Sequence, residues 1–326
     1  MRLTNGYQVS QAIHVAATLG LADLLGDGTR SSDELAEATG ADADALYRLL
    51  RALASVGVLN EHDDRRFALT PLGEYLRSDT VGSLQDWAAF VGRPYHWDAW
   101  GSLLHSVRTG ENAFRHLHGT GVWDFRQAHP EENAIFDQAM TSLTSGATEA
   151  LTAAYDFGRF RTIVDVGGGR GALLIALLQK HPQLHGVLFD HPTVVAGARE
   201  AVHDAGVADR CRLVGGDFFD SVPAGGDAYV LKSVIHDWED DESIRILRSC
   251  RAAMRDGSML LLVELELGPP NTAPVAKFGD LNMLVAPGGR ERTSEEYAAL
   301  FAAGGFRLVE ATPTGTGLAV FEGVPV

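Results

Sequence analysis

Residues 162–178 read TIVDVGGGRGALLIALL, and this stretch decides the fold class. The β-branched run Thr162–Val166 is typical of a buried strand, and Ala172–Leu178 is typical of a helix. The glycines between them let the backbone approach a ligand closely, and the start of the helix leaves N–H groups free to bind it. A strand, a glycine-rich turn and a helix in this order predict an α/β, Rossmann-like domain.

Four further β-rich runs follow the first strand, and helical segments separate them. They are His185–Phe189, Cys211–Val214, Ala228–Leu231 and Met259–Leu265. This alternation predicts a parallel sheet with helices on its faces. We therefore assign residues 151–326 to one α/β domain.

The first 82 residues predict a smaller, helical domain that ends in a hairpin. Apolar residues from Val9 to Ala17 recur at helical spacing, and Ser31–Glu34 resembles a capping box at a second helix start. Asp42 or Asp44 can cap a third helix, and two short apolar runs flank the polar stretch 61–66. Residues 1–82 thus predict a winged-helix-like domain. Residues 83–150 look helical and aromatic, and we assign them to a linker that contributes to an acceptor pocket.

A winged-helix layout raises the possibility of DNA binding, which the charge opposes. Residues 1–80 hold seven Arg, no Lys and twelve Asp or Glu, so 7 − 12 gives −5. The whole chain carries −16, whereas a nucleic-acid partner needs a basic face. A scaffold does not determine function, and we expect this one to serve dimerisation or to act as a lid over the substrate.

Composition sets the remaining limits. The 326 residues are 45% hydrophobic and 21% charged, as expected of an ordinary globular chain of two domains. No apolar run approaches the roughly 18 residues that span a membrane, and residues 1–11 lack a signal-peptide pattern. We expect a cytoplasmic location. Cys211 and Cys250 lack metal-ligand spacing and predict buried thiols, and no metal site is expected.

Acidic residues near the glycine turn indicate which cofactor it binds. Gly167, Gly169 and Ala172 also satisfy the dinucleotide pattern, so the glycines alone leave an NAD-dependent oxidoreductase open. Three acidic residues lie near the ends of successive predicted strands. Asp165 lies just before the glycines, Asp190 ends the next strand, and Asp217, beside Phe218, follows the third. Together they suit the cationic S-adenosylmethionine better than a pyrophosphate.

A candidate general base follows the fourth strand of this domain. His236 lies in the segment Leu231–Trp238, at the sheet edge where open α/β folds bind ligands. Near neutral pH a neutral imidazole can take the proton of a hydroxyl acceptor, and a carboxylate behind the ring stabilises the imidazolium. Glu264 and Glu266 both lie at the end of the next strand, and because they share parity, periodicity cannot choose between them.

Five motifs occur in order and carry a family resemblance. They are Asp165-Val-Gly-Gly-Gly, Phe189-Asp-His-Pro, Gly216-Asp-Phe-Phe, Leu231-Lys-Ser-Val-Ile-His-Asp-Trp and Pro287-Gly-Gly-Arg-Glu-Arg-Thr. Over nearly the whole chain the sequence resembles the plant caffeate/flavonoid-type O-methyltransferases and their bacterial natural-product relatives, which use S-adenosylmethionine and release S-adenosylhomocysteine. The resemblance implies a homodimer that methylates a hydroxyl of a small aromatic molecule by in-line transfer.

The resemblance also implies residue roles. His236 would be the base, flanked by Glu264 and Glu291, with Asp237 assisting. The implied cofactor contacts are Gly167, Asp190, Asp217, Phe218 and Lys232, to which the residues of the glycine turn add Asp165 and Gly169. The implied acceptor contacts are Met140 and Met283, and from the aromatic stretch Trp87–Trp100 we expect Trp97 to line the acceptor pocket as well. Relatives that catalyse N- or C-methylation, or a reaction without methyl transfer, keep those alternatives open.

Overall fold

Helices and a three-stranded sheet make up the amino-terminal part of the chain. The computed structural model describes residues 3–326, apart from the side chains of 144–146. Residues 1 and 2, where the predicted first domain begins, lie outside the described residues. In chain order the elements are α1 (Gly6–Thr18), α2 (Leu21–Leu25), β1 (Arg30–Ser31), α3 (Ser32–Thr39), α4 (Ala43–Ser55), β2 (Leu59–His62), β3 (Arg66–Leu69), α5 (Gln85–Val91), α6 (Pro94–Gly101), α7 (Leu103–Thr109), α8 (Ala113–His118), α9 (Val122–Ala128) and α10 (Pro130–Ala154).

Local capping explains where the helices of the winged region begin. The Ser31 side chain accepts the N–H of Glu34, and the Glu34 carboxylate accepts the N–H of Ser31, which completes the predicted capping box. Asp42, rather than Asp44, caps α4 by accepting the N–H of Ala45. The sheet order is β1-β3-β2, and Phe67 at its centre is fully buried. The predicted winged layout is confirmed, with α2 and β1 as additions that the sequence did not predict.

A seven-stranded sheet organises the rest of the chain. Its elements are β4 (Thr162–Val166), α11 (Ala172–Lys180), β5 (His185–Asp190), α12 (Pro192–Asp204), β6 (Cys211–Gly215), β7 (Ala228–Lys232), α13 (Asp240–Ala253), β8 (Met259–Leu265), α14 (Pro274–Val285), α15 (Ser294–Gly304), β9 (Phe306–Pro313) and β10 (Leu318–Pro325). The strand order is β6-β5-β4-β7-β8-β10-β9, with β4 to β8 parallel and the last two antiparallel. The predicted α/β class and all five predicted strands are confirmed.

The four inner parallel strands, β4, β5, β7 and β8, are buried on both faces, which is why they read as continuous apolar runs. Leu174 and Leu177 of α11 pack on one face, and Ile246 and Phe301 belong to the core on the other. Each such fully buried side chain contributes about 1.5–3 kcal/mol of hydrophobic free energy. Both cysteines are buried free thiols.

Strand order places the ligand crevice. The chain moves outward from β4 to β5 and β6, then returns to add β7 on the other side of β4. In open parallel sheets ligands bind outside the carboxyl ends of the strands at such a reversal. Val166 and Lys232 are the last residues of β4 and β7, so the glycine turn and the His236 segment leave the sheet at this edge.

The described chain forms two compact units. One comprises Met1–Asp98 and Arg126–Gly146, and the other Ala99–Phe125 and Ala147–Val326. The boundaries expected after residues 82 and 150 stay predictions. Within the described residues, no helix combines the length and apolar character that crossing a membrane requires.

Candidate active site

The glycine turn after β4 packs closely against the protein at Gly168 but has free space beside Gly169. Gly167, Gly169 and Gly171 have φ values of 70°, 59° and 84°, a region that favours glycine. A Cβ on Gly168 would lie 2.5 Å from Leu188 Cδ1, whereas a Cβ on Gly169 would meet no atom within 4 Å. The backbone at Gly169 therefore has room for a ligand at the start of α11.

Asp165, just before the glycines, is a buried carboxylate that suits a cation. It is 2% exposed, and its Oδ2 makes no hydrogen bond within the described residues. Burial raises the pKa of Asp165 to about 7, although the nearby charge of Lys232 acts in the opposite direction. Burial likewise lowers the pKa of Lys232, against the attraction of Asp165 and Glu264. Such a site stabilises added positive charge.

Asp190 and Asp217 stand at the ends of the next two strands, as predicted. The Asp190 Oδ2 accepts the N–H of Gly169 at 2.8 Å, which ties the end of β5 to the glycine turn. The Asp217 Oδ1 accepts the N–H of Phe219 at 2.8 Å. The ring of Phe218 packs edge-on against Trp238, with centroids 5.9 Å apart. Carboxylates and an aromatic ring thus occupy the same sheet edge as the glycines.

The segment that carries His236 is held to β8 by one carboxylate. Ser233, directly after β7, has a φ of 55°, and a short 3₁₀ turn follows over residues 235–237. The Glu264 Oε1 accepts the N–H groups of Val234 at 3.0 Å and Ile235 at 2.8 Å. Because Glu264 is fully buried, these charge-assisted bonds hold the turn in place.

Two glutamates lie beside the same nitrogen of His236. The Nδ1 atom is 2.9 Å from Glu264 Oε2 and 3.4 Å from Glu291 Oε1, whereas Nε2 lies 3.6 Å from Asp237 Oδ1. The His236 side chain is 14% exposed, but those of Glu264 and Glu291 are 0% and 1%. The structure brings together the four residues predicted to act in catalysis.

These charges change the proton affinity of the cluster. Burial alone would lower the pKa of His236, but the charges of Glu264, Asp237 and Glu291 outweigh it and raise the pKa to about 10. Burial raises the pKa of Glu291 to about 8, although the charge of His236 acts against this. The imidazolium form of His236 is therefore strongly stabilised, and Glu291 retains a proton more readily than an exposed glutamate.

The structure also resolves the choice between Glu264 and Glu266. Strand β8 ends at Leu265, so strict alternation no longer governs the residue after it. Glu266 accepts a hydrogen bond from the Ser294 hydroxyl and forms an isolated bridge with Arg292. Glu264, not Glu266, contacts His236.

Sequence reasoning assigned no role to Arg292, which supports this site. Its side chain is 1% exposed, and its guanidinium donates to the carbonyls of Ile235 at 3.3 Å and Trp238 at 2.9 Å. It also donates to Asp240 Oδ1 at 2.8 Å. Arg292 thereby hydrogen-bonds to backbone carbonyls at both ends of the turn around His236. Its place in the motif 287–293 was the available signal, but an arginine is rarely fully buried.

The three predicted acceptor contacts are divided between the two units. Met283 is buried on α14, in the same unit as His236. Met140 on α10 and Trp97 on α6 belong to the other unit and are partly buried. Contact of these three side chains with an acceptor stays a prediction.

Comparisons with known proteins identify the family. Residues 100–307 match the O-methyltransferase domain, and residues 1–79 match the O-methyltransferase dimerisation domain. The chain belongs to the O-methyltransferase family. It is similar to the phenazine O-methyltransferase PhzM of Lysobacter antibioticus, at 44% identity over 100% of this chain and 95% of that protein.

Two further similarities bear on cofactor and chemistry. A solved O-methyltransferase of neocarzinostatin biosynthesis, in complex with S-adenosylmethionine and 2-hydroxy-5-methyl naphthoic acid, has a TM-score of 0.85. It is 36% identical, and the match covers 98% of this chain and 96% of that one. An 8-amino-8-demethylriboflavin N,N-dimethyltransferase of Streptomyces davaonensis is 38% identical over 97% of this chain and 91% of that protein. The family therefore includes transfer to nitrogen.

S-adenosylmethionine is the cofactor of this family, and the site fits it. The buried Asp165 Oδ2 and the open space at Gly169 lie at one turn, and Lys232 and Asp190 at neighbouring strand ends. Carboxylates around a cationic ligand are the electrostatic match that the sequence predicted. The family assignment replaces the NAD-dependent alternative.

Proposed function

We propose that this methyltransferase transfers a methyl group to a hydroxyl of a small aromatic natural product, with His236 as general base. The observation that carries the proposal is the placement of the His236 imidazole after β7, with Glu264 at 2.9 Å from its Nδ1. Transfer to oxygen needs a base, because a phenol has a pKa near ~10 and is a poor nucleophile while protonated. Aromatic amines attack without such a base.

In this proposal the two nitrogens of His236 have different tasks. Nδ1 carries the ring proton beside the Glu264 carboxylate, 2.9 Å away, which leaves Nε2 to accept the hydroxyl proton of the acceptor. The carboxylates then stabilise the imidazolium, because their charges raise the pKa of His236 towards that of the phenol. Proton transfer between partners of matched pKa is nearly balanced in free energy.

Glu291 adjusts when His236 is available as a base. Its Oε2 is buried and makes no hydrogen bond to any described residue, and burial raises its pKa to about 8. When Glu291 is protonated, one negative charge that holds the proton on His236 is removed. The imidazole then releases its proton at a lower pH than it would beside three charged carboxylates.

The cofactor residues have proposed roles that follow from their chemistry. Asp190 accepts the ribose hydroxyls, Asp217 and Phe218 hold the adenine, and Asp165 and Lys232 set the charge at the glycine turn. Gly167 and Gly169 allow the close backbone approach. S-adenosylmethionine supplies a methyl group bonded to a sulfonium sulfur, and the thioether that departs is already a good leaving group. The protein's remaining task is to orient the acceptor for in-line attack.

We further propose a homodimer and an aromatic acceptor held by Met140, Met283 and Trp97. The match of residues 1–79 to a dimerisation domain supports the dimer. The phenazine and naphthoic acid in the names of similar proteins support a planar aromatic acceptor. A thioether adapts well to an aromatic face.

The test is transfer of labelled methyl from S-adenosylmethionine to matched panels of phenols and aromatic amines. Wild type is compared with His236→Ala and with His203→Ala, which removes an exposed histidine of α12. We expect label on oxygen in wild type and His203→Ala, and a loss of about 10²–10⁴-fold in His236→Ala. Cofactor affinity, measured by calorimetry, should remain unchanged in both variants.

Transfer to amines that survives in His236→Ala, without transfer to phenols, would replace the proposal by N-methylation. That second function has support from the similar riboflavin-type N,N-dimethyltransferase.

A further inference from the structure

Three side chains with metal-binding atoms meet at the α7–α8 connection, outside the methyl-transfer site. His105 lies on α7, Glu111 in the loop after it, and His116 on α8. All three belong to the unit that contains the seven-stranded sheet. Their sequence spacing matches no common metal motif, so only the fold shows that they are neighbours.

The geometry of the three side chains converges on one carboxylate oxygen. Glu111 Oε2 lies 2.8 Å from His105 Nε2 and 3.9 Å from His116 Nδ1. The two imidazole rings are stacked, with centroids 3.6 Å apart and an interplanar angle of 13°. One ligand atom from each residue lies within 4.8 Å of the other two.

We propose that His105, Glu111 and His116 bind a divalent transition metal ion, with Zn²⁺ as the reference case. Zinc binds histidine nitrogen and carboxylate oxygen at about 2.0–2.2 Å, so tetrahedral ligand atoms lie about 3.3 Å apart. The observed separations of 2.8 and 3.9 Å bracket that value. Binding requires the rings to tilt from their stacked arrangement so that their lone pairs converge. Partial exposure, 24% for His105 and 46% for His116, gives them room to do so.

The chemistry of the ligand set favours zinc over magnesium or calcium. Imidazole nitrogens suit zinc, nickel and copper, whereas magnesium and calcium prefer oxygen ligands. Three protein ligands leave a fourth position for water, and the exposure of Glu111, 50%, keeps that position open to solvent.

A bound ion would stiffen a loop that supports α14. Asn112, next to Glu111, caps α8 and donates from its amide to the carbonyls of Leu284 at 2.9 Å and Ala286 at 3.2 Å. The chain continues from Ala286 to Glu291 beside His236. Holding Glu111 and both histidines together therefore stabilises the connection that anchors the end of α14. We expect a higher melting temperature with metal bound.

A second group among the described residues also has suitable metal-ligand atoms, so the test must distinguish metal binding there from binding at the α7–α8 connection. It consists of His236, Glu264 and Glu291. In that group the Glu264 Oε1 is already engaged by two backbone N–H groups, and its side chain is fully buried. The three residues at the α7–α8 connection have lower barriers to binding because solvent and metal reach them directly.

The experiment uses untagged, chelator-treated full-length protein titrated with Co²⁺ and with Zn²⁺. Cobalt reports tetrahedral nitrogen and oxygen ligation through its visible absorption, and calorimetry gives the zinc affinity and stoichiometry. We expect one equivalent per chain in wild type, in His203→Ala and in His236→Ala. We expect at least tenfold weaker binding in His105→Ala, His116→Ala and Glu111→Gln, and no metal-dependent rise in melting temperature.

Two results would overturn the proposal. One is the absence of binding to wild type at 100-fold molar excess of Zn²⁺. The other is binding that disappears in His236→Ala but persists in His105→Ala, which would place the ion at the methyl-transfer site instead. Circular dichroism of His105→Ala, His116→Ala and Glu111→Gln checks that each of these variants remains folded.

Discussion

Replacing Glu264 by Gln removes one charge from the His236 cluster while keeping the size of the side chain. The Gln oxygen can still accept the N–H groups of Val234 and Ile235, so the turn retains its backbone anchor. What is lost is the carboxylate 2.9 Å from Nδ1. At an effective dielectric constant of about 20, a unit charge pair at that distance interacts by about 6 kcal/mol, or about four pKa units. This is an upper bound, because the buried carboxylate also costs free energy.

The expected result follows from the sign of that interaction. The negative charge of Glu264 raises the pKa of His236 against the effect of burial, so its removal lowers the pKa from about 10. At pH values above the pKa of His236, where the imidazole is neutral in both enzymes, a weaker base and an unsupported imidazolium then slow methyl transfer to oxygen. We expect kcat to fall by about 10²–10⁴-fold, with little change in cofactor affinity.

Two measurements check this prediction. Nuclear magnetic resonance of ring-labelled histidine follows the titration of His236, and initial rates over a pH series give kcat. Glu266→Gln is the matched control, since Glu266 contacts Ser294 rather than His236. A Glu264→Gln enzyme with kcat within a few-fold of wild type, or with an unchanged His236 titration, would refute the reasoning.

Three further outcomes test the surroundings of the site. Glu291→Gln removes a negative charge that raises the pKa of His236, so the fall of kcat on the acidic side of its pH profile should move to lower pH. An unchanged pH profile would contradict the electrostatic interaction between Glu291 and His236. Arg292→Lys cannot keep all the bonds of the buried guanidinium, and chemical denaturation should show a loss of about 1–3 kcal/mol. Gly168→Ala places a Cβ 2.5 Å from Leu188 Cδ1, which displaces the glycine turn, so calorimetry should show at least tenfold weaker S-adenosylmethionine binding. The control variant Gly197→Ala, in α12, should bind the cofactor as wild type does.

Much of the fold could be predicted because its signals are local. The run Thr162–Val166 and the helix start at Ala172 were located to the residue, since apolar periodicity and glycine punctuation depend only on neighbouring positions. The capping box at Ser31 was found for the same reason. The two antiparallel strands β9 and β10 were missed, although their pairing with β8 completes the sheet. Strand pairing is a long-range property that a short window of sequence does not contain.

The sequence by itself determined the α/β class, the acids at three strand ends, and His236 with its motif. These features follow from residue type and from the rule that parallel strands end at one edge of a sheet. Periodicity left Glu264 and Glu266 equivalent, and only the family resemblance favoured Glu264. The tertiary structure shows that Glu264 contacts His236, because β8 ends between the two glutamates.

The fold alone also decided three further arrangements. It buried Arg292 against the turn around His236. It brought His105 and His116 to a single carboxylate. It also set the proton affinity of the catalytic cluster, because charge interactions depend on distance and on exclusion of water. Those quantities exist only once residues that are far apart in the chain have packed together.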